Sequence, residues 1–388
     1  MKSFGAKGDG VTDDTGALAK AIAQGQAESR PVYLPLGNYR LTKPLQLHKQ
    51  TLIGSPEGAW PGDEDALPVL MVDHQHGPAI EMQPSSAVSG LKIEYRHPDF
   101  PEIIQFPPAI IIRGTGVRIS NLKISNAWTG IYCDDTLTDR NNGRLNIENV
   151  FMVSIHKLGL HVGHTLDKDN LRNIEVWTPP ESSPVFSREG VGFKLGKNDG
   201  LRMSECFVLG AHIGFLFEEN KGDINPGGTL GYLSNCSVDF SDYGMVVRGG
   251  SNTFLNVSGG SYWAHTAAVL LTGDGGEVII TGSDLRGNGL ASVEATGGDR
   301  FILNGCNLTS PHPSFKIPAL RLGTVKRVIV SNCIMDSLHS GVEIKKSPEN
   351  MILAQNMITA RPKLHLINVP KDMKQIVLKD NVLIDQSR

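Results

Sequence analysis

From about residue 115 onward, the chain repeats one pattern of apolar and polar positions. Each repeat has a strand rich in β-branched residues, a polar corner, a second strand, a turn with glycine and a third strand. The segments VRISNLKIS…TGIYC and LGYLSNCSV…YGMVV are two examples. Neighbouring repeats are spaced by roughly 23 to 30 residues, which is typical of β-solenoids. The pattern therefore predicts stacked strands in an all-β parallel solenoid.

The corner residue keeps its register from repeat to repeat. The aligned corners are Asn121, Asn149, Glu205, Asn235, Gly259, Gly305, Asn332, Gln355 and Asp380. A β-sandwich is the alternative for a chain of many short strands, but it would not keep one corner in register. We expect residues 46–388 to form the solenoid and residues 1–45 to form its N-terminal cap, as one continuous domain.

The pleat sends alternate side chains into and out of each coil. Four of the five cysteines share one inward position and are expected to be buried, reduced core residues: Cys206, Cys236, Cys306 and Cys333. The outward position of the first strand is polar in the early repeats, with Arg118, Asn146, Arg172, Arg202, Tyr232 and Asn256. In the later repeats it is apolar, with Ile280, Ile302, Ile329, Ile352 and Val377. An exposed apolar stripe of this kind predicts burial against another subunit.

The first 42 residues predict a glycine-rich turn, a helix over residues 13–26 and two short strands. Asp13 or Asp14 is the expected helix cap, and Ala17, Leu18 and Ile22 belong to the apolar stripe. A helix here would cover the open end of the solenoid. A metal site at Asp9 and its neighbouring aspartates is the weaker interpretation, and we predict no metal.

The stretch FGAKGDGVTDDT, followed by VYLPLGNYRL, resembles the opening of the pectate-lyase-like superfamily. That superfamily includes phage tailspike depolymerases and bacterial polysaccharide lyases and hydrolases. The resemblance implies a right-handed parallel β-helix, often a homotrimer, that acts on carbohydrate. It leaves the reaction open, because the fold also hosts epimerases, transferases and proteins that only bind.

Several motifs of well-known members are missing from the sequence. Polygalacturonases carry N-T-D, D-D, G-H-G and R-I-K motifs, and only Asp134-Asp135 is present without its partners. The aspartate cluster of a calcium-dependent pectate lyase and the Walker, H-E-x-x-H and G-x-S-x-G patterns are also missing. The sequence therefore predicts no cofactor.

The net charge and the distribution of apolar residues bear on the classes of partner and on the location of the protein. The net charge of −3 does not favour a nucleic-acid binder, and no apolar run of membrane-spanning length occurs. No apolar stretch of a secretory signal follows the first residues. The resemblance implies an extracellular or virion-associated protein, with a cytoplasmic location as the alternative.

Candidate substrate-binding residues come from the outward positions of the early repeats, where the long insertions also lie. Arginine forks suit carboxylates or sulfates, so an acidic polysaccharide is the expected substrate. Solvated surface polarity is the competing interpretation for each side chain. The candidates are Arg118, Arg172, Arg202, Tyr232, His161, Lys194 and Trp263.

Candidate catalytic residues are carboxylates and a histidine near the insertions: Glu218, Asp239, Asp242 and His212. Glycoside hydrolysis needs two carboxyl groups, whereas a lyase needs a base such as histidine or lysine. His212 and Asp242 occupy the same turn position in neighbouring repeats and are predicted to form a hydrogen bond. The leading hypothesis is an enzyme that cleaves a polysaccharide. A carbohydrate-binding spike without catalysis and a sugar epimerase or transferase are the alternatives.

Overall fold

The computed structural model describes residues 2–55, 66–96, 103–220, 226–250, 252–310, 316–361, 367–368 and 375–385. Within these ranges, two α-helices and one short 3₁₀ helix accompany a large set of β-strands. The strands pair in parallel between successive coils, and the fold is the right-handed parallel β-helix that the sequence predicts. The chain divides into two compact units, residues 1–193 and 194–388, which are described in turn.

The first unit begins with a 3₁₀ helix, Lys2–Phe4, and contains the helices α1, Thr15–Ala27, and α2, Pro184–Glu189. Its strands, in chain order, are β1 Asp9–Asp13, β2 Val32–Tyr33, β3 Asn38–Leu41, β4 Leu45–Leu47, β5 Thr51–Ile53, β6 Val69–Val72, β7 Ile80–Met82, β8 Ala87–Tyr95, β9 Ile110–Ile112, β10 Arg118–Ser125, β11 Thr129–Cys133, β12 Asn142–Gly143, β13 Asn146–Val153, β14 Leu158–Val162, β15 Thr165–Leu166, β16 Asp169–Trp177 and β17 Val191–Leu195, which contains the boundary.

Three parallel ladders run through the first unit. The first-strand ladder is β2, β5, β8, β10, β13 and β16. The second-strand ladder is β1, β3, β6 and the later halves of β8, β10, β13 and β16. The third-strand ladder is β4, β7, β9, β11 and β14. The insertions after β11 and β14 pair through β12 and β15.

The N-terminal helix forms close to where it is predicted, and its capping differs in one detail. Asp14 occupies the N-cap position, but its carboxylate accepts the backbone N–H groups of Lys7 at 2.7 Å and Gly8 at 2.9 Å. The Asp13 carboxylate instead accepts the N–H of Thr15 at 3.0 Å. Both aspartates thus satisfy free backbone donors. Leu18 and Ile22 are buried on the face that packs against β4.

The strands of the second unit, in chain order, are β18 Asn198–Ser204, β19 Phe207–Leu209, β20 Ile213–Glu218, β21 Thr229–Ser234, β22 Ser237–Arg248, β23 Phe254–Ser258, β24 Ser261–Leu271, β25 Glu277–Thr281, β26 Asp284–Gly287, β27 Val293–Ala295, β28 Arg300–Asn304, β29 Asn307–Ser310, β30 Pro318–Leu322, β31 Arg327–Ser331, β32 Ile334–Ser337, β33 Ser340–Ile344, β34 Asn350–Ala354, β35 Met357–Ala360, β36 Ile367–Asn368, β37 Ile376–Lys379 and β38 Val382–Asp385.

The second unit repeats the same three-ladder plan. Its first-strand ladder is β18, β21, β23, β25, β28, β31, β34 and β37. Its second-strand ladder is β19, β22, β24, β26, β29, β32, β35 and β38. The later parts of β22 and β24 join β20, β27, β30, β33 and β36 in the third-strand ladder.

Every predicted corner residue has a left-handed backbone. The φ values are 52° for Asn121, 53° for Asn149, 57° for Glu205 and 53° for Asn235, and the other five predicted corners are also positive. This conformation is costly for most residues and is best tolerated by glycine and asparagine. In the first unit the corner amides also bond to one another, with Asn149 donating to Asn121 at 3.1 Å and Asn173 donating to Asn149 at 3.0 Å.

The predicted inward positions of the cysteines are confirmed. One of the predicted outward positions is wrong. The four aligned cysteines and Cys133 are buried and form no disulfide, and burial raises the pKa of the Cys133 thiol. Ile280 was predicted to point outward, but it is fully buried. Ile279 holds the outward position, in register with Asn256 and Ile302. All three residues of the run Val278-Ile279-Ile280 are apolar. The sequence therefore does not show which of them point into the core and which point outward.

We predict that two variants of Asn149 separate the contribution of the left-handed backbone to stability from the contribution of the amide hydrogen bonds. Replacement by glycine or by valine removes the same two amide hydrogen bonds, and only valine introduces a β-branched side chain at φ 53°. Asn149→Val should therefore be less stable than Asn149→Gly by about 1 to 2 kcal/mol. Denaturant unfolding of the two variants measures this difference, and equal midpoints would contradict the role given to the backbone.

Candidate functional site

One outward column of the second unit carries chemically useful side chains. Trp263 lies beside Arg286 in register, and Asp239 precedes Trp263 by one coil, because Val238 pairs with Tyr262. All three belong to the second strands, directly after the corner of their coils. Trp263 is 40% exposed, although large aromatic side chains are usually buried.

The Asp284 carboxylate fixes this column from the neighbouring outward position. It accepts the indole N–H of Trp263 at 3.1 Å, the Nε of Arg286 at 3.0 Å and the side-chain amide of Asn307 at 3.0 Å. The Arg286 guanidinium lies 4.0 Å from the Trp263 ring centroid. One carboxylate thus orients both the ring and the cation that stacks on it.

A pocket of about 280 Å³ opens beside this column. That volume lies near the lower end of small-ligand sites. Its lining is Asp239, Phe240, Trp263, Ala264, His265, Arg286 and Asn288, and we call it the aromatic pocket. Phe240 is 58% exposed and has a left-handed backbone, with φ 49°. The side-chain oxygen of Asn288 is buried without a hydrogen-bond partner among the described residues.

The predicted pair of His212 and Asp242 is present. The Nδ1 atom of His212 lies 2.8 Å from Oδ2 of Asp242. Because an ionised carboxylate only accepts hydrogen bonds, Nδ1 of His212 is the donor to Asp242. On the other side, Nδ1 of His265 lies 3.7 Å from Oδ1 of Asp242. His265 also lines the aromatic pocket, so it connects the pocket to the pair.

Glu218 lies away from this cluster. Ile213 pairs with Tyr243 and Glu218 with Arg248, so Glu218 is about 20 Å further along the third strand than Asp242. There it approaches Lys194 at 3.3 Å and Arg248 at 3.8 Å. The structure therefore brings Lys194 and Glu218 together, but not Glu218 and Asp242.

Arg202 and Tyr232 occupy another face of the second unit. They are neighbours on the first-strand ladder, followed by Asn256 in the next coil. The left-handed corner at Asn235 separates this sheet from the second strands that carry Trp263. The structure thus keeps these two predicted residues apart from the aromatic pocket.

In the first unit, Arg118 lies in an open depression of about 520 Å³, together with Arg144, Asn146, Lys168 and Asn170. Arg144 is paired with Asp167 at 2.9 Å. The predicted column needs one correction here, because Asn170 rather than Arg172 follows Asn146. Arg172 lies two residues along the strand, beside Glu148. The depression combines three cationic groups with two amides.

His161 is outward in register but only 2% exposed. Its Nε2 lies 3.2 Å from Oδ2 of Asp135, and Tyr132 donates its hydroxyl to Oδ1 of the same carboxylate at 2.7 Å. The hydrogen bond with His161 is the main reason why the pKa of Asp135 is lowered to about 2, and Tyr132 adds to it. This closed network resembles a structural support more than an open substrate contact.

Sequence reasoning missed Asp284, Arg286, Phe240 and Asn288. The corner at Gly282, with φ 65°, places Asp284 and Arg286 in the same outward positions as Ser261 and Trp263. Recognising that corner would have found both residues, but the apolar run before it hid the register. Nothing in the sequence pattern marks Phe240 and Asn288 as lining the pocket, because local turns place them there.

No group of three or more metal-binding side chains occurs among the described residues. Within the same part of the chain, no helix has the length and hydropathy needed to cross a membrane.

The coils, the corner register and the N-terminal cap define a right-handed parallel β-helix. Residues 1–63 match the family described as rhamnogalacturonase A/epimerase, pectate lyase-like. The preneck appendage protein of Bacillus phage PZA is 43% identical over 53 residues, which are 14% of this chain and 6% of that protein. A glucan 1,3-beta-glucosidase of Cochliobolus carbonum is 41% identical over 68 residues, covering 14% of this chain and 9% of the enzyme. The chain therefore matches only a small part of these relatives.

Solved structures are similar over nearly the whole chain. The N-terminal fragment of bacteriophage phi29 gene product 12 has a TM-score of 0.60 at 14% identity, covering 98% of this chain and 66% of that one. The A-module of a mannuronan C-5 epimerase from Azotobacter vinelandii has a TM-score of 0.54 at 14% identity, covering 98% of both chains. At such low identity these likenesses show the fold. The predicted resemblance is confirmed.

We predict a pH-dependent contribution of Asp135 to stability. Its pKa is about 2 in the folded protein against an ordinary value of 3.8, so the contribution is present above pH 3.8 and is lost as the pH falls towards 2. Unfolding free energies of the wild type and of Asp135→Asn should differ most above about pH 5 and converge near pH 2. A difference that stays constant over this range would contradict the His161–Asp135 coupling.

Proposed function

We propose that this protein is a polysaccharide-cleaving enzyme of the hydrolase type, with its reaction centre at Asp239 and Asp242. The observation that carries the proposal is the Asp242 carboxylate between His212 and His265, beside a pocket that also presents Trp263 and a second carboxylate.

The aromatic pocket has the features of a sugar-ring site. An exposed tryptophan face stacks on the apolar face of a sugar, and its position is fixed before binding, because Asp284 and Arg286 hold the ring. The unpartnered oxygen of Asn288 accepts a sugar hydroxyl, which recovers a hydrogen bond that the free protein lacks. Phe240 supplies a second apolar wall.

The spacing of the two carboxylates is compatible with hydrolysis. Asp239 and Asp242 are three residues apart on β22, so their Cα atoms lie at most about 10 to 11 Å apart. The left-handed turn at Phe240 shortens that distance. Inverting glycosidases hold their carboxyl groups about 6.5 to 9.5 Å apart, with a water between them. In this proposal Asp242, hydrogen-bonded to His212, activates the water, and Asp239 at the pocket protonates the leaving oxygen.

An acidic polymer remains the proposed substrate. In the first unit, Arg118, Arg144 and Lys168 give the depression an excess of positive charge over Asp167. In the second unit, Lys194 beside Glu218 offers a further polar contact. Arginine forks favour carboxylate and sulfate groups over neutral sugars.

A glycan-binding spike without catalysis is the second candidate function. The exposed Trp263 supports binding whether or not a bond is cleaved. The similarity to phage appendage proteins favours a virion-associated location for either function, and an extracellular one is the alternative. An epimerase is a third possibility within this fold. Product analysis distinguishes these three functions.

We predict that Asp242→Asn and Asp239→Asn each lower turnover about a hundredfold or more, since each removes one partner of the acid–base pair. Polygalacturonate, alginate and a β-1,3-glucan are the first substrates to assay, by new reducing ends and by ultraviolet absorbance of unsaturated products. Reducing ends without that absorbance identify a hydrolase, and the absorbance identifies a lyase.

The matched control for this prediction is Asp336→Asn. Asp336 is also an outward second-strand carboxylate, in a later coil of the same ladder. Its loss should leave turnover unchanged. Glu218→Gln tests the other predicted carboxylate, whose distance from Asp242 implies a small effect. Full activity of both the Asp239 and Asp242 variants would overturn the assignment. Saturable glycan binding without any product would favour the spike.

We also propose that the apolar stripe of the second unit is buried in a homotrimer. The stripe is Ile279, Ile302, Ile329, Ile352 and Val377, which are successive outward positions of the first-strand ladder. Val377 is 50% exposed, and the others are half-buried or exposed. Burial of an isoleucine contributes roughly 1.5 to 3 kcal/mol, so a self-complementary stripe favours association.

We predict that Ile302→Lys combined with Ile329→Lys dissociates the assembly and leaves the coils folded. Thr309→Lys combined with Asp336→Lys is the matched control, because these outward positions belong to the second strands of the same two coils. Light scattering gives the mass, and circular dichroism gives the fold. A wild-type protein that is monomeric at micromolar concentration would contradict this proposal.

A further inference from the structure

A second pocket lies in the first unit, on the second-strand ladder near the N-terminal cap. It has a volume of about 600 Å³, more than twice that of the aromatic pocket. Arg40, Asp73, His74, His76, Arg96 and Phe106 are among the residues that line it. We call it the N-terminal pocket. It contains none of the residues assigned to the proposed reaction centre.

His74 has unmet hydrogen-bonding capacity at this pocket. The side chain is 7% exposed, and neither ring nitrogen has a partner among the described residues. Burial lowers the pKa of His74, and the neighbouring His76 lowers it further. The neutral ring therefore offers one donor and one acceptor. Because rotation about χ2 of histidine is soft, the ring can present a nitrogen to the pocket without movement of the backbone.

The charge of the pocket comes mainly from Arg96. Arg40 is already neutralised, since its guanidinium lies 2.6 Å from the Asp73 carboxylate and donates to the carbonyl of Val11 at 3.2 Å. Arg96 makes one hydrogen bond among the described residues, at 3.8 Å to the sulfur of Met71. A sulfur acceptor is weak and leaves the guanidinium fork available for an anion.

We infer that the N-terminal pocket binds a sugar acid, that is, a hydroxyl-rich ring that carries a carboxylate. The carboxylate pairs with Arg96, and hydroxyl groups, which both donate and accept, satisfy the two nitrogens of His74. Buried polar groups without partners favour any ligand that supplies the missing hydrogen bonds. Met71 and Phe106 give the apolar wall on which a ring packs. The site binds and does not cleave, and this inference does not depend on the proposed reaction.

The experiment is a calorimetric titration of the full chain with D-glucuronate, D-glucose and inorganic phosphate. Glucuronate should bind at least about tenfold more tightly than glucose, because only glucuronate offers a charged acceptor to Arg96. Arg96→Gln should reduce glucuronate binding to the level of glucose. His74→Phe should weaken binding of both sugars, because it keeps a ring but removes both nitrogen partners of the hydroxyl groups.

Two controls locate the binding. Arg188→Gln removes an exposed arginine of α2 in the same unit and should leave the titration unchanged. Asp336→Asn changes an outward second-strand position of the second unit, outside both pockets, and should also leave the titration unchanged. Unfolding temperatures equal to that of the wild type show that the Arg96 and His74 variants are folded.

Three results would overturn the inference: no glucuronate binding by the wild type, unchanged binding by both pocket variants, or phosphate binding as tight as glucuronate binding. The last result would identify a simple anion site. Loss of depolymerising activity in the Asp239 and Asp242 variants is measured separately, so failure of one proposal leaves the other testable.

Discussion

The left-handed corner residue that recurs from coil to coil determines much of the structure. The corners between first and second strands lie at φ values near 50° to 70°, and the chain uses asparagine, glycine and a few other residues there. This conformation directs the second strand away from the first, so side chains on the two strands face different directions. Because the corner recurs at the same position, strands of successive coils pair in register. The inward columns then pack as a continuous core, and the outward columns become surfaces of distinct chemistry.

The functional surface of the second unit follows from this register. Trp263, Arg286 and Asp239 share an outward column only because the corners at Asn235, Gly259 and Gly282 are aligned. The Asp284 carboxylate, one outward position earlier, reaches the indole and the guanidinium at once. His212, between β19 and β20, and Asp242, within β22, are brought together in the same way, as neighbours in adjacent coils. The site is thus an arrangement across coils rather than a local motif.

Much of the fold could be predicted from the sequence, because the corner residues leave a recurring polar or glycine mark in an apolar pattern. The hydrogen bond between His212 and Asp242 was predictable for the same reason, since both positions count from their corners. The prediction for Ile280 was wrong, because three consecutive apolar residues hide the alternation and the corner at Gly282 has no polar side chain to mark it. The prediction for Arg172 was wrong, because Asn170 rather than Arg172 pairs with Asn146, two residues earlier in the strand. Burial of His161 was beyond reach, since the sequence does not show that Asp135 and Tyr132 close around it.

The parallel pairing has a mechanical consequence within each unit. Hydrogen bonds between neighbouring coils point along the coil axis, because strands of successive coils are paired side by side. A tensile load along that axis is therefore shared by every hydrogen bond of an interface simultaneously, and no single bond carries it alone. A load on one chain end, in contrast, peels the terminal coil bond by bond. The unit is thus stiff towards axial pulling and weak towards peeling, an anisotropy that suits a part anchored by a broad face rather than by a tether.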